Sequence, residues 1–169
     1  VADKYIRNNA GVLTETEATV TSAGAGNAGD IVALDSNGKL DNSVMPVGIG
    51  ADTAQIEASE NISASELVNV YENAGESNIR KADATSAGKE ASGYVLESVT
   101  SGQPGTVYFE QIITGLSGLT PGAKYYLSTT PGAITTTPPS GSGNVVQYIG
   151  RALSETTLQF QPGPPVVLA

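Results

Sequence analysis

From residue 51 to the end of the chain, turn-forming residues recur about every ten positions, a spacing that leaves room for strands but not for helices of ordinary length. Between these breaks lie short runs rich in β-branched and aromatic residues. They place strands at 54–58, 67–71, 78–82, 94–99, 106–113, 124–128, 133–137, 145–149 and 157–160. Pro121-Gly122 and Pro131-Gly132 bracket one of these runs and fit type I or II turns at either end of a hairpin strand. Pro138-Pro139-Ser140-Gly141-Ser142-Gly143 reads as a loop, and Pro162-Gly163-Pro164-Pro165-Val166-Val167-Leu168-Ala169 as an extended tail whose apolar tip docks on a neighbour. One helical turn is expected near 63–67. The fold class that follows is all-β, a small antiparallel β-barrel or sandwich.

Residues 1–50 form a different block, read as an extended N-terminal arm. Gly11 to Thr21 is rich in β-branched residues, Ser22 to Gly29 lacks bulk, and Asp30-Ile31-Val32-Ala33-Leu34 reads as a short strand followed by a hairpin turn at Asn37-Gly38. Met45-Pro46-Val47-Gly48-Ile49-Gly50 ends regular structure. With so few large apolar residues the block holds no core of its own and must order against something else. The domain reading is therefore 1–50 as arm and 51–169 as β domain with a Pro-rich tail. A weak internal echo, Thr21-Ser22-Ala23-Gly24 with Gly29 and Thr85-Ser86-Ala87-Gly88 with Gly93, is too short to define a repeat architecture.

Composition narrows the chemistry. The chain has no histidine and no cysteine, which removes the commonest general base, thiolate metal sites, disulfides and every Ser-His or Cys-His device. A net charge of −9 opposes nucleic acid and anionic lipid surfaces, so neither is an expected partner. No apolar run is long enough to span a bilayer and no signal peptide is apparent, so synthesis is expected in the cytoplasm.

Four patterns remain to be weighed. Gly24-Ala25-Gly26-Asn27-Ala28-Gly29 spells the dinucleotide-binding glycine pattern, but it leads into a strand-like segment and places Asp30 where a phosphate would sit. Asp35-Ser36-Asn37-Gly38-Lys39-Leu40-Asp41 alternates oxygen ligands like a calcium loop, yet it lacks the sixth-position glycine and twelfth-position glutamate. Glu15 and Glu17 offer paired carboxylates, but no tryptophan accompanies them as a sugar platform. Of the tyrosines (Tyr5, Tyr71, Tyr94, Tyr108, Tyr125, Tyr126, Tyr148), all but Tyr5 fall on expected strands and suit half-buried packing or an interface; Tyr125 and Tyr126 must face opposite ways. No catalytic, cofactor-binding or metal residue is assigned, no cofactor is expected, and the chain is expected not to be an enzyme.

Three stretches carry a resemblance. Gly115-Leu116-Ser117-Gly118-Leu119-Thr120-Pro121-Gly122-Ala123-Lys124-Tyr125-Tyr126-Leu127-Ser128, continued by Pro131 to Pro139 and Val146 to Ser154, resembles a module of tailed-phage virion proteins. Leu67 to Val95 is similar to small β-barrel capsid cement proteins, and Asp30 to Gly50 to the leading segment of such phage proteins. The resemblance implies a decoration (cement) or head-fibre type of virion structural protein. It implies a homotrimer on the outer capsid surface whose arm clips to the major capsid protein and stabilises the shell. The alternative it implies is a tail or head fibre component that contacts the host surface.

Overall fold

The computed structural model describes residues 3–45 and 52–169, and the chain divides into two compact units, Val1–Gly50 and Ala51–Ala169. The expected end of regular structure after Met45 lies at residues 46–50, outside the described residues.

In the first unit, β1 (Lys4–Asn9) and β2 (Val12–Glu17) form an antiparallel hairpin in register from Lys4 opposite Glu17 to Asn9 opposite Val12. Its two-residue turn takes positive φ at both Ala10 (51°) and Gly11 (91°), the handedness that matches the twist of the strands. The strand expected at 30–34 is reduced to a single parallel bridge between Val32 and Thr19. Its would-be neighbour coils instead into a 3-10 turn, Gly24–Asn27, and offers no edge to pair with. Asn37-Gly38 does turn, with Gly38 at φ 73°, but no hairpin flanks it. The Asp35 carboxylate accepts the Asn37 and Lys39 N–H groups at 2.8 and 2.9 Å and closes the loop on itself.

The second unit shows the all-β class, as a closed barrel with a sheet packed on it. The barrel comprises β3 (Thr53–Ala58), β4 (Leu67–Asn73), β5 (Glu76–Lys81), β6 (Gly93–Val95) and β7 (Pro104–Tyr108), ordered β3-β5-β4-β6-β7 and closing back on β3. All pairs are antiparallel except β3 with β5, which run parallel. The hairpin β4–β5 turns on Ala74-Gly75 with φ of 54° and 89°, the same solution as the first hairpin. The helical turn expected at 63–67 is a β-turn, with Ser65 at φ 65° and the Glu66 N–H donated to the Ser63 carbonyl. Asn61 and Ser63 leave too few residues before β4 for a helix to propagate.

Beyond the barrel, β8 (Gln111–Ile113), β9 (Lys124–Leu127), β10 (Ile134–Thr135), β12 (Tyr148–Ala152) and β13 (Leu158–Phe160) build an antiparallel sheet ordered β10-β9-β12-β13-β8. The run expected as one strand at 106–113 is thus split, its first part closing the barrel and its last part edging the sheet. Both Pro-Gly turns form as expected, with Gly122 at φ 80° and Gly132 at 77°. The tail docks on its own chain, where β14 (Val166–Val167) pairs with β11 (Val145–Val146).

Strand alternation fixes the core. Val68, Ile79, Val95 and Val107 fill the barrel with Ala58, Ile62 and Val99. Their chain neighbours Leu67, Tyr94 and Tyr108 point outward, into a second core shared with Ile113, Tyr125, Leu127, Ile149, Leu158 and Phe160 of the sheet. A bulge in β12 between Tyr148 and Gly150 brings Gly150 between Tyr125 and Phe160. A Cβ there would lie 1.9 Å from the Gln159 carbonyl oxygen, a backbone atom.

The loop from β5 to β6 is pinned by buried Asp83. Its carboxylate accepts hydrogen bonds from the Thr85 hydroxyl, from the Thr85 N–H at 2.9 Å and from Lys89 at 3.2 Å. Burial pushes this carboxyl up, but the Thr85 and Lys89 donors outweigh it and hold the pKa below the ordinary aspartate value.

Two outcomes follow from this packing. Gly150→Ala forces β12 off β13 and is expected to cost about 3 kcal/mol, read from the urea midpoint. Because the folded-state pKa of Asp83 is depressed, its contribution is full above the unfolded value of about 3.9 and is lost as pH falls through the folded value. Asp83→Asn should therefore lower the melting temperature at pH 6, and its curve should converge on that of the wild type in strong acid. Parallel curves down to the lowest pH would refute the assignment.

Candidate interaction surfaces

The residues singled out in the sequence do not converge. Gly24-Ala25-Gly26-Asn27 is the 3-10 turn, and no helix follows it to receive a pyrophosphate. Asp30, at its end, instead accepts from Thr19 at 3.2 Å and Asn27 at 3.1 Å and pairs with Arg7 at 3.3 Å. Asp35 and Asp41 each accept backbone N–H groups of their own loop, Asp41 that of Ser43 at 2.9 Å. Those hydrogen bonds, led by that from Lys39 for Asp35 and those from Ser43 for Asp41, hold both carboxyls below the ordinary value. Glu15 and Glu17 lie on one exposed face of the first hairpin, and Glu15 pairs with Lys4. The two copies of the internal echo share a positive-φ glycine at Gly24 and Gly88 and then part. Gly29 has positive φ, whereas Gly93 is a barrel residue whose Cβ would strike the Tyr108 carbonyl oxygen at 2.6 Å.

The tyrosines divide as strand alternation requires. Tyr125 is buried, and Tyr126 faces the opposite side, edge-on to Tyr148 at 6.0 Å. Tyr94 is buried in the core between the barrel and the sheet, stacked on Tyr108 at 5.4 Å and edge-on to Phe160 at 5.2 Å. Tyr71 carries the Arg80 guanidinium 4.3 Å from its ring centre.

What the structure does bring forward is surface. In the first unit none of the described residues is buried. Ile6 and Leu13, 64% and 71% exposed, sit diagonally on one face of the hairpin, and Val12, Ile31, Val32, Leu34 and Leu40 are exposed as well. The sequence reading expected no core here because the block was read as having few large apolar residues; the structure instead shows seven large aliphatic side chains in it, all exposed.

In the second unit a groove of about 730 Å³ runs along the edge strand β8, lined by Phe109, Ile112, Leu153 and Pro162 with three glutamines and Glu110. Its rim is a strained corner. Gln111 adopts φ 88°, a conformation natural to glycine, at the point where the chain leaves the barrel for the sheet. The Tyr94 hydroxyl donates to the Glu110 carbonyl at 3.0 Å and fixes that corner from the core. Burial, and to a lesser degree Tyr108, pushes the Tyr94 phenol up to about 12, so it remains a donor throughout the physiological range. Only one ionisable side chain, Glu110, lines the groove, and a lone carboxylate does not make an acid–base pair.

Comparison with known proteins finds no matching family model and no matching curated protein. Among solved structures the chain is similar to the head fiber gp8.5 N base of bacteriophage phi29, with 16% identity and a TM-score of 0.43 over 66% of this chain and 95% of that one.

The strain at the corner is measurable. Gln111→Gly removes the steric cost and should raise unfolding free energy by about 1 kcal/mol despite the added backbone freedom. A loss of stability in chemical denaturation would show that the Gln111 side chain, not the backbone geometry, matters there.

Proposed function

We propose that this chain is a non-catalytic structural protein of a tailed-phage particle that binds the outer capsid surface through residues 1–50, as a homotrimer, and stabilises the shell. One observation carries the reading: the first unit buries none of its described residues yet exposes seven large aliphatic side chains. Exposed apolar surface concentrated in this way marks a docking region. Covering those seven side chains would yield on the order of 10 kcal/mol gross, before the cost of association and ordering is subtracted. The partner that fits is a protein surface, since the net charge of −9 disfavours nucleic acid and anionic lipid. The phage-module resemblance of 67–95 and 115–154 supplies the setting, with the major capsid protein as the surface gripped.

The second unit suits the complementary task. Its barrel and sheet share a core, so it cannot bend without exposing buried residues such as Tyr94 and Leu67. A stiff body carried by a surface-seeking segment adds buried interface where shell subunits meet. Three copies around an axis match the local threefold positions of an icosahedral lattice.

The test is co-sedimentation with capsid shells. Removing residues 1–50 should abolish binding while 51–169 keeps its cooperative melt, and Leu13→Asp with Ile6→Asp should weaken binding at least tenfold. Undiminished affinity in either variant refutes the capsid-binding role of this unit.

A further inference from the structure

Charge is divided unevenly along the chain. Residues 111–169 carry only Lys124, Arg151 and Glu155, a net of +1, so residues 1–110 carry −10 of the total of −9. The barrel portion of the second unit is therefore strongly acidic, and the sheet packed on it is nearly free of charge.

The two cations of the sheet are neighbours. On its outer face Ile112 lies opposite Gln159, Gln159 opposite Arg151, and Arg151 opposite Lys124, one row across β8, β13, β12 and β9. All four side chains are exposed, and at the usual strand separation the row is about 14 Å long. Like charges directly opposite each other in an antiparallel pair repel. Acidic residues outnumber basic ones 17 to 8 in this chain, yet neither cation forms an ion pair among the described residues. Arg151 gives one hydrogen bond, at 2.6 Å, to the Gly122 carbonyl, which fixes the guanidinium without neutralising it. The row offers an apolar contact at one end and two uncompensated cations at the other.

The barrel holds a counterpart. Strand β4 meets β6 only at Leu67 and Val68, and β5 meets β3 only at Asn78 and Ile79. The hairpin from Glu72 to Ser77 therefore has no strand beside it among the described residues and stands exposed, with Glu72 and Glu76 near its tip. Glu72 accepts the Gly75 N–H at 2.6 Å, which stiffens the turn, and the Glu76 carboxylate makes no ion pair among the described residues.

We propose that the Lys124–Arg151 row docks the Glu72–Glu76 hairpin of a second copy, head to tail. This rests on the oligomeric part of the function proposed above and gives it an interface. Such a contact is heterologous: each copy offers the row to one neighbour and the hairpin to the other, so a closed ring satisfies every copy. Isologous pairing of the same faces would set cations against cations.

The test is sedimentation equilibrium of the full chain. Self-association should weaken at least tenfold between about 0.1 M and 1 M salt, as the Debye length falls from about 10 to 3 Å. Lys124→Glu with Arg151→Glu should weaken it at least tenfold, as should Glu72→Lys with Glu76→Lys, each variant keeping the wild-type melt and circular dichroism. The chain carrying all four reversals should associate within about threefold of wild type, the coupling that identifies touching pairs. A wild type monomeric at both salts, association strengthened by salt, or no recovery in the fourfold variant overturns the proposal. A monomer that still binds shells removes this interface and leaves capsid binding standing; a ring that does not bind shells does the reverse.

Discussion

The structure of the second unit depends on strands that bury both faces. An ordinary antiparallel strand presents one side to a core and the other to water. Here β4, β6 and β7 send Val68, Val95 and Val107 into the barrel and Leu67, Tyr94 and Tyr108 into the core beneath the sheet. Consecutive residues thus serve two cores, and neither can come apart without exposing strands of the other. The unpaired polar groups of such strands have no water to turn to, so they are satisfied internally. Asn69 donates to the Glu90 carbonyl and accepts from Arg80, and Gln147 both accepts from and donates to the backbone of Ala91.

That arrangement explains where strain collects. A chain leaving a closed barrel for a neighbouring sheet must turn sharply within a few residues, and the turn falls at Phe109 to Gln111. Tyr94 is the only tyrosine placed to serve the barrel wall, the sheet core and the corner together: its ring packs on Tyr108 and Phe160, and its hydroxyl holds Glu110. The positive φ of Gln111 is the residual cost, and a groove opens beside it because the edge strand β8 has no neighbour on its outer side.

How far this was legible in the sequence follows from which interactions are local. The Pro-Gly turns at 121–122 and 131–132 read correctly because proline fixes φ and glycine supplies the left-handed residue, irrespective of surroundings. The hairpins β1–β2 and β4–β5, each closed by a two-residue turn, pivot on Ala10-Gly11 and Ala74-Gly75, where alanine takes a steric penalty that the pairing of long strands offsets, so no local signal announced them. Asn37-Gly38 carried the stronger signal and made only a loop, because its flanks found no register to pair in. The run 106–113 looked continuous since its β propensity is unbroken; only closure of the barrel decides that it must divide. The row from Ile112 to Lys124 exists only through register across four strands and could not be seen along the chain.

The contrast between the units is one of supply. Two cores in 51–169 draw on most of the large apolar residues there, and Ile112, Leu153, Val166 and Val167 are left exposed. Against the expectation that it holds few, the first unit has large apolar residues in a comparable share, but its described residues form one hairpin and two 3-10 turns to arrange them, and a two-stranded ribbon has no second layer to cover a face. Its order comes from polar ties such as Arg7 with Asp30 and Asn27 with Asp30, which set the path of the chain without removing apolar surface from water. A segment organised by hydrogen bonds while its aliphatic side chains stay solvated gains far more from a complementary protein surface than from any rearrangement within itself. On the function proposed above, rigidity falls to one part of the chain and adhesion to the other.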